Sequence, residues 1–268
     1  MVQAFPRKGL RVFPYRLRLL LPILLIATAV GCAPRPPAGD VEALADYREL
    51  NDPIEPTNRF FYRVNDKIDT YALRPAAVAY RAVVPGAVRR PIRNALSNLA
   101  TPAKFANDVL SGKPRRAGDS MMRFLINSTA GAGGFFDVAT DLGYPDSGAD
   151  FGTTLAIWGV GEGPFLFLPV FGPSNPRDAT GLVGDAVLDP ITWASFGGRT
   201  TLGVTRLVLT GLDRRERVIE AIDSIKRDAL DPYATFRSLY RQNRAEEVAR
   251  ARVDRPATIP AWFPQPAK

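Results

Sequence analysis

The stretch Phe151 to Gly181, FGTTLAIWGVGEGPFLFLPVFGPSNPRDATG, constrains this chain more than any other part of it. It carries glycines at 152, 159, 161, 163, 172 and 181 and prolines at 164, 169, 173 and 176. Proline removes a backbone donor and glycine costs conformational entropy, so a long helix is excluded here. Phe151, Trp158, Phe165, Phe167 and Phe171 give the stretch too much apolar surface for a disordered linker. An ordered, irregular, apolar segment is expected, one that either plugs a core or lines a passage. Its only expected strand is Phe165 to Phe171, as half of a hairpin.

The N-terminus reads as an export segment. Arg7, Lys8, Arg11, Arg16 and Arg18 form a basic region without an acid, and Leu19 to Val30 is apolar. That run is shorter than the about 20 apolar residues of a transmembrane helix. Ala29-Val30-Gly31-Cys32 then places small residues before the one cysteine of the chain, in the manner of a bacterial lipobox. Cys32 is therefore the expected lipidation site, the alternative being an ordinary signal peptide with a chance cysteine. A single cysteine permits no intrachain disulfide. Ala33 to Gly39 is a proline-rich tether.

Composition narrows the function classes. Five of the 35 basic residues lie in the leader and none of the 27 acids does, so the remainder is far closer to neutral than the whole-chain charge of +8. The basic pI thus argues little for nucleic acid. The chain contains no histidine, which excludes Ser-His-Asp and Cys-His catalysis and histidine metal sites. Gly159, Gly161 and Gly163 lack the βαβ context of a dinucleotide loop. Asp137 and Asp141 could form a carboxylate pair, but helix capping accounts for them. No catalytic residue, metal or cofactor is expected.

The rest reads as helices. Val41 to Leu50 is a short one. Asn51-Asp52-Pro53 starts a second by Asx capping, with Phe61, Val64, Ile68 and Tyr71 on one face and an end before Pro75. Pro75 to Gly112 reads as two or three short helices separated by Pro85, Pro91 and Pro102. From Arg74 to Arg123 ten basic residues face only Asp108 and Asp119. This is either a solvated basic face or a surface for lipid headgroups, with Arg89, Arg90 and Arg93 as headgroup-contact candidates. Further helices are expected over Pro114 to Ala130, Asp178 to Leu188 and Thr200 to Leu230, and a last one from Asp231-Pro232. Arg241 to Arg252 is expected to fray outward.

Five ordered blocks carry a family likeness: NDPIEPTNRFFYRVND (Asn51–Asp66), SNLATPAKFANDVLSG (Ser97–Gly112), RFLINSTAGAGGFFDVA (Arg123–Ala139), FGTTLAIWGVGEGPFLFLPVFGPSNPRD (Phe151–Asp178) and DPYATFRSLYRQNR (Asp231–Arg244). Together they resemble the MlaA (VacJ) lipoproteins. The resemblance implies an all-α fold: a single ring-like multi-helix domain with amphipathic membrane-lying helices and at most one short β-hairpin, after a lipoprotein signal peptide. It also implies a non-enzymatic task, removal of phospholipid from the outer leaflet of the outer membrane. The implied partners are the bilayer, its phospholipid, a periplasmic lipid-carrier protein and a trimeric porin. Carried over by position, Asn58, Phe60, Trp158, Gly159, Gly161, Gly163, Phe165 and Phe167 are the lipid-channel candidates. The alternative is an envelope scaffold or adaptor that binds porins or cell-wall components and moves no lipid. The expected organisation is a signal peptide over 1–31, lipidated Cys32 with its tether to 40, a helical domain over 41–252 and an irregular tail over 253–268.

Overall fold

The computed structural model describes residues 50–254, together with residues 36, 37, 39, 40, 42, 44 and 47. The signal peptide, Cys32 and the tail beyond 254 lie outside the described residues. The chain divides into two units between Asn58 and Arg59.

In the first unit, Glu42, Leu44, Tyr47 and Leu50 are helical, in keeping with the helix expected over 41–50. Asn51 follows at φ +50°, a left-handed conformation that asparagine tolerates and that stops a helix.

The next helix, α1, runs over Glu55–Ile68. It does not end before Pro75. A π-helical turn, Asp69–Leu73, carries it directly into α2 (Arg74–Val83). The Arg74 N–H reaches back to the Asp69 carbonyl. This wider turn makes room for the proline ring and its missing donor at the start of α2. A second correction concerns α3, which is one helix of 25 residues, Gly86–Leu110, with Pro91 and Pro102 inside it. Each internal proline costs about 3 kcal/mol, and packing along α4 (Pro114–Thr129) offsets that cost.

The short α5 (Val138–Asp141) is capped by Asp137, whose carboxylate accepts from the Thr140 N–H. The capping account of Asp137 therefore holds. The Gly- and Pro-rich stretch is more regular than expected at its start. Asp150 and Thr153 form a capping box that opens α6 (Phe151–Ile157). Then β1 (Leu166–Leu168) pairs antiparallel with β2 (Gly172–Ser174), Phe167 opposite Pro173. This is the one sheet among the described residues.

Asn175 caps α7 (Pro176–Leu188) and Asp189 caps α8 (Pro190–Trp193). The long pattern expected over Thr200 to Leu230 breaks at Val218 into α9 (Arg199–Arg217) and α10 (Ile219–Asp228). Asp231 caps α11 (Pro232–Ala251), as its Asp-Pro start predicts. The end of α11 does not fray. Arg244 and Ala251 are buried, and Asp254 beyond it accepts the Arg116 N–H at 3.3 Å.

The buried interior is unusually polar. Among the described residues its aromatic cluster is Phe165, Phe167 and Tyr233, flanked by Phe61, Tyr62 and Tyr240. Elsewhere the buried apolar residues are mainly alanines, and the buried side chains include Asn107, Asp108, Arg116, Arg123, Asn127, Arg177, Asp213, Arg215, Glu216 and Arg244. Large apolar residues lie outside instead: Trp193 is 69% exposed and Val83 79%, with Val183, Phe136, Val170 and Phe171 comparably open. Charged residues are rarely buried in this number unless they are paired, as these are. No helix among the described residues is long and apolar enough to cross a membrane.

Candidate functional site

A cavity of about 900 Å³ lies between α3, α7, α8 and α9. Helix α9 supplies one wall because its polar residues recur at helical spacing: Arg199, Gly203, Arg206, Thr210, Asp213, Arg214 and Arg217 all reach it. Leu96 and Ala100 from α3, Ala186 from α7, Ile191 from α8 and Leu207 from α9 supply apolar wall. The cavity is therefore amphipathic, apolar on part of its lining and cationic along α9.

Its four carboxylates are all engaged. Asp213 is buried and takes Arg93 Nε at 3.0 Å and Arg217 Nε at 3.3 Å. Asp189 takes Arg206. Asp146 takes Lys104 and the Gly148 N–H. Burial alone would raise the Asp146 carboxyl, but Lys104 beside it holds it below the usual carboxylate range. Asp137 accepts from Arg123 Nη2 at 2.7 Å and Asn127 at 3.1 Å. Burial is again outweighed, here by the hydrogen bonds from Arg123, Thr140 and Asn127, and this carboxyl too is lowered. Both therefore stay ionised at neutral pH and remain occupied by their partners. Ser97 on the same wall donates from Oγ to Asp146 Oδ2 at 3.2 Å, and Lys104 holds that carboxylate oxygen as well. Among the described residues, no group of three His, Cys, Asp or Glu side chains could hold a metal ion.

The residues singled out from sequence fall mostly elsewhere. Phe165 is 2% exposed and Phe167 6%. Both pack edge-on or tilted against Tyr233 with centroids 6.1 and 6.3 Å away. Their assignment to a channel wall is corrected: they form the aromatic core, because the hairpin presses its apolar face onto α11. Asn58 is also buried, donating from Nδ2 to Asp52 Oδ1 at 2.7 Å. Phe60 is exposed and meets Phe61 edge-to-face. Trp158 is 54% exposed, with its indole N–H anchored to the Leu110 carbonyl at 2.9 Å. It faces outward, where Phe167 faces inward.

Gly159 and Gly163 sit at φ +93° and +71°, bends that L side chains rarely adopt, and Gly163 also lies against the Pro176 ring. Gly161 has neither constraint.

The headgroup candidates divide. Arg89 pairs with buried Glu216 and Arg93 with Asp213, so both charges are already compensated. Arg90 is exposed and, among the described residues, makes no ion pair. Unlike Arg90, Arg74, Arg81, Lys104, Arg116 and Arg123 along the basic run are each matched by a carboxylate. Most of the apparent basic surface is one half of a salt-bridge system, its acids lying mainly on α9 and α10. Of the channel and headgroup candidates, Arg93 lies on the cavity wall, as does Asp137 of the carboxylate pair weighed above. The α9 wall was missed in the sequence because its exposed Leu and Val residues resemble a core face. The signal was the four-then-three recurrence of Arg199, Gly203, Arg206, Thr210 and Asp213.

The sequence model of the family described as MlaA lipoprotein matches residues 50–247. The chain belongs to the MlaA lipoprotein family. It is 32% identical over 232 residues to the intermembrane phospholipid transport system lipoprotein MlaA of Escherichia coli K12, covering 84% of this chain and 87% of that one. The Haemophilus influenzae protein of the same name is 34% identical over 231 residues, covering 84% and 88%. An uncharacterized Rickettsia bellii protein is 34% identical over 202 residues, covering 75% and 78%. A solved chain, from work on the structural basis for maintenance of bacterial outer membrane lipid asymmetry, matches with a TM-score of 0.64 at 32% identity. The match covers 75% of this chain and 98% of that one. The all-α fold with a single small hairpin is thus the family's fold.

Proposed function

We propose that this chain is an outer-membrane lipoprotein that takes mislocalised phospholipid from the outer leaflet and passes it to a periplasmic carrier, so maintaining lipid asymmetry. One observation carries the reading. A protein with a salt-bridged interior and many exposed large apolar residues carries an open amphipathic cavity between α3 and α9. The exposed apolar residues suit acyl chains around them, and the cavity suits an amphiphile passing through it. The relatives named as phospholipid transport lipoproteins support the same task.

The anchor in this reading is Cys32, modified at the periplasmic face of the outer membrane. More than one acyl chain is needed for durable attachment. A trimeric porin would hold the body in place. The protein itself makes and breaks no bond of the lipid: it binds, orients and releases. A strain lacking the chain is expected to accumulate phospholipid in its outer leaflet, and the wild-type gene to reverse this. Unchanged outer-leaflet phospholipid in the deletion would favour a scaffold that moves no lipid.

A further inference from the structure

The charge balance of the cavity bears on which phospholipid it takes. Asp137, Asp146, Asp189 and Asp213 are all held by cations of the protein. Among the described residues, Arg199 and Arg214 are the cavity cations without a carboxylate. Arg199 donates from Nη1 to the Thr192 carbonyl, which leaves its charge uncompensated. Arg214 makes no ion pair and is exposed on the cavity side of α9. Fifteen residues of helix separate them, about 22 Å at 1.5 Å per residue. One uncompensated guanidinium thus stands near each end of α9.

We infer that the cavity selects net-anionic glycerophospholipids over zwitterionic ones, with Arg199 and Arg214 as the headgroup-reading residues. This rests on the transport reading above. A guanidinium matches a phosphodiester in charge and in donor geometry. Every phospholipid offers that phosphate, so the phosphate does not discriminate. The second headgroup charge does. An ethanolamine ammonium needs an acceptor, and each carboxylate of the lining is already taken. Held near either unpaired guanidinium, the ammonium is repelled as well as unpartnered. A glycerol headgroup brings only hydroxyls and meets no such cost.

The test uses the full-length lipidated protein, purified from membranes of known composition. The ratio of phosphatidylglycerol to phosphatidylethanolamine in the bound lipid is compared with that of the source membrane. About fivefold enrichment of the anionic lipid is expected, as for a charge pair in a wet, partly screened site. In the R199Q/R214Q double variant the bound ratio returns to that of the membrane. In R90Q, whose guanidinium lies off the cavity, the enrichment stays. Inorganic phosphate at millimolar concentration leaves the bound lipid in place; its displacement would show a site for free phosphate and overturn the inference. Bound lipid with no enrichment, or enrichment surviving in the double variant, overturns it while leaving transport intact. Absence of any bound phospholipid counts against the transport reading itself.

Discussion

Arg244 clasps Asp178 side-on, donating from Nε to Oδ2 at 2.8 Å and from Nη2 to Oδ1 at 2.9 Å. The same guanidinium reaches Asp150, the cap of α6, at 2.7 and 2.8 Å. Tyr240 donates to Asp178 as well. One buried arginine of α11 therefore ties together the starts of α6 and α7. Arg244→Met is expected to cost about 3–5 kcal/mol, because two carboxylates are left facing an apolar group. Thermal melts of the purified variant check this, and a Tm within a degree of wild type would contradict it.

The same cluster sets an acid limit. Burial would raise Asp178, but hydrogen bonds from Arg244, Tyr240 and Arg177 outweigh it and hold the carboxyl below its ordinary value of 3.8. A depressed acid stabilises the fold above its unfolded value and loses that contribution as pH falls through the folded one. Stability measured from pH 7 downward should thus hold to about pH 4 and fall below it. In Arg244→Met this acid-dependent loss is expected to flatten, since Asp178 then has less native pairing to lose.

Much of this architecture was legible in the sequence, and the reasons it was or was not are physical. Asp231-Pro232 marked α11 because an Asx cap and a proline act within four residues. The hairpin was legible from the Gly and Pro around Phe165 to Phe171. The role of Arg244 was not, because a charge at the end of a charged helix is buried only if a partner 66 residues away folds back onto it. Pro91 and Pro102 misled for the same reason: local cost is readable, and the packing that offsets it is not. In the cavity, Arg93 stood out within a basic run, but Arg199 and Arg214 acquire meaning only once their neighbours' carboxylates are seen to be occupied.

Hairpin geometry makes a third prediction. Val170 lies at φ +69°, costly for a β-branched residue, and Asn65 holds it there. The Asn65 amide donates to the Leu168 carbonyl at 2.7 Å and accepts from the Val170 N–H at 2.6 Å. Asn65→Ala should cost about 1–3 kcal/mol and speed hydrogen exchange over 166–174. Adding Val170→Gly should recover part of the loss by removing the strain. No recovery would mean that Asn65 acts elsewhere.

Glycine substitutions should separate backbone need from mere composition. A Cβ on Gly152 would lie 2.5 Å from Arg244 Nη2 and 2.6 Å from Asp178 Oδ1. Gly152→Ala is therefore expected to destabilise by about 1–3 kcal/mol. Gly161 has open space around it and no left-handed φ, so Gly161→Ala should stay within about 0.5 kcal/mol. Urea titrations of both variants decide it, and equal midpoints would contradict the packing described.

Charge reversal in the basic run should act on folding before it acts on lipid. Arg89→Glu and Arg93→Glu each oppose a buried acid, Glu216 or Asp213. A loss of about 2–3 kcal/mol each is expected, below the fully buried case because both guanidiniums are partly exposed. Arg90→Glu should leave the melt unchanged and weaken only flotation with anionic vesicles. A weakened melt in Arg90→Glu would show a partner for that side chain that the fold does not provide.

The central claim is that phospholipid occupies the cavity between α3 and α9. A photo-crosslinking amino acid at Leu207 or Thr210, both on the cavity wall, tests it most directly. A second probe at Glu246, on the exposed face of α11, serves as the control. Irradiation in cells should attach phospholipid at 207 and 210 and not at 246, read by mass spectrometry of the intact protein. Adducts missing from both cavity positions, or equally abundant at 246, would contradict the account.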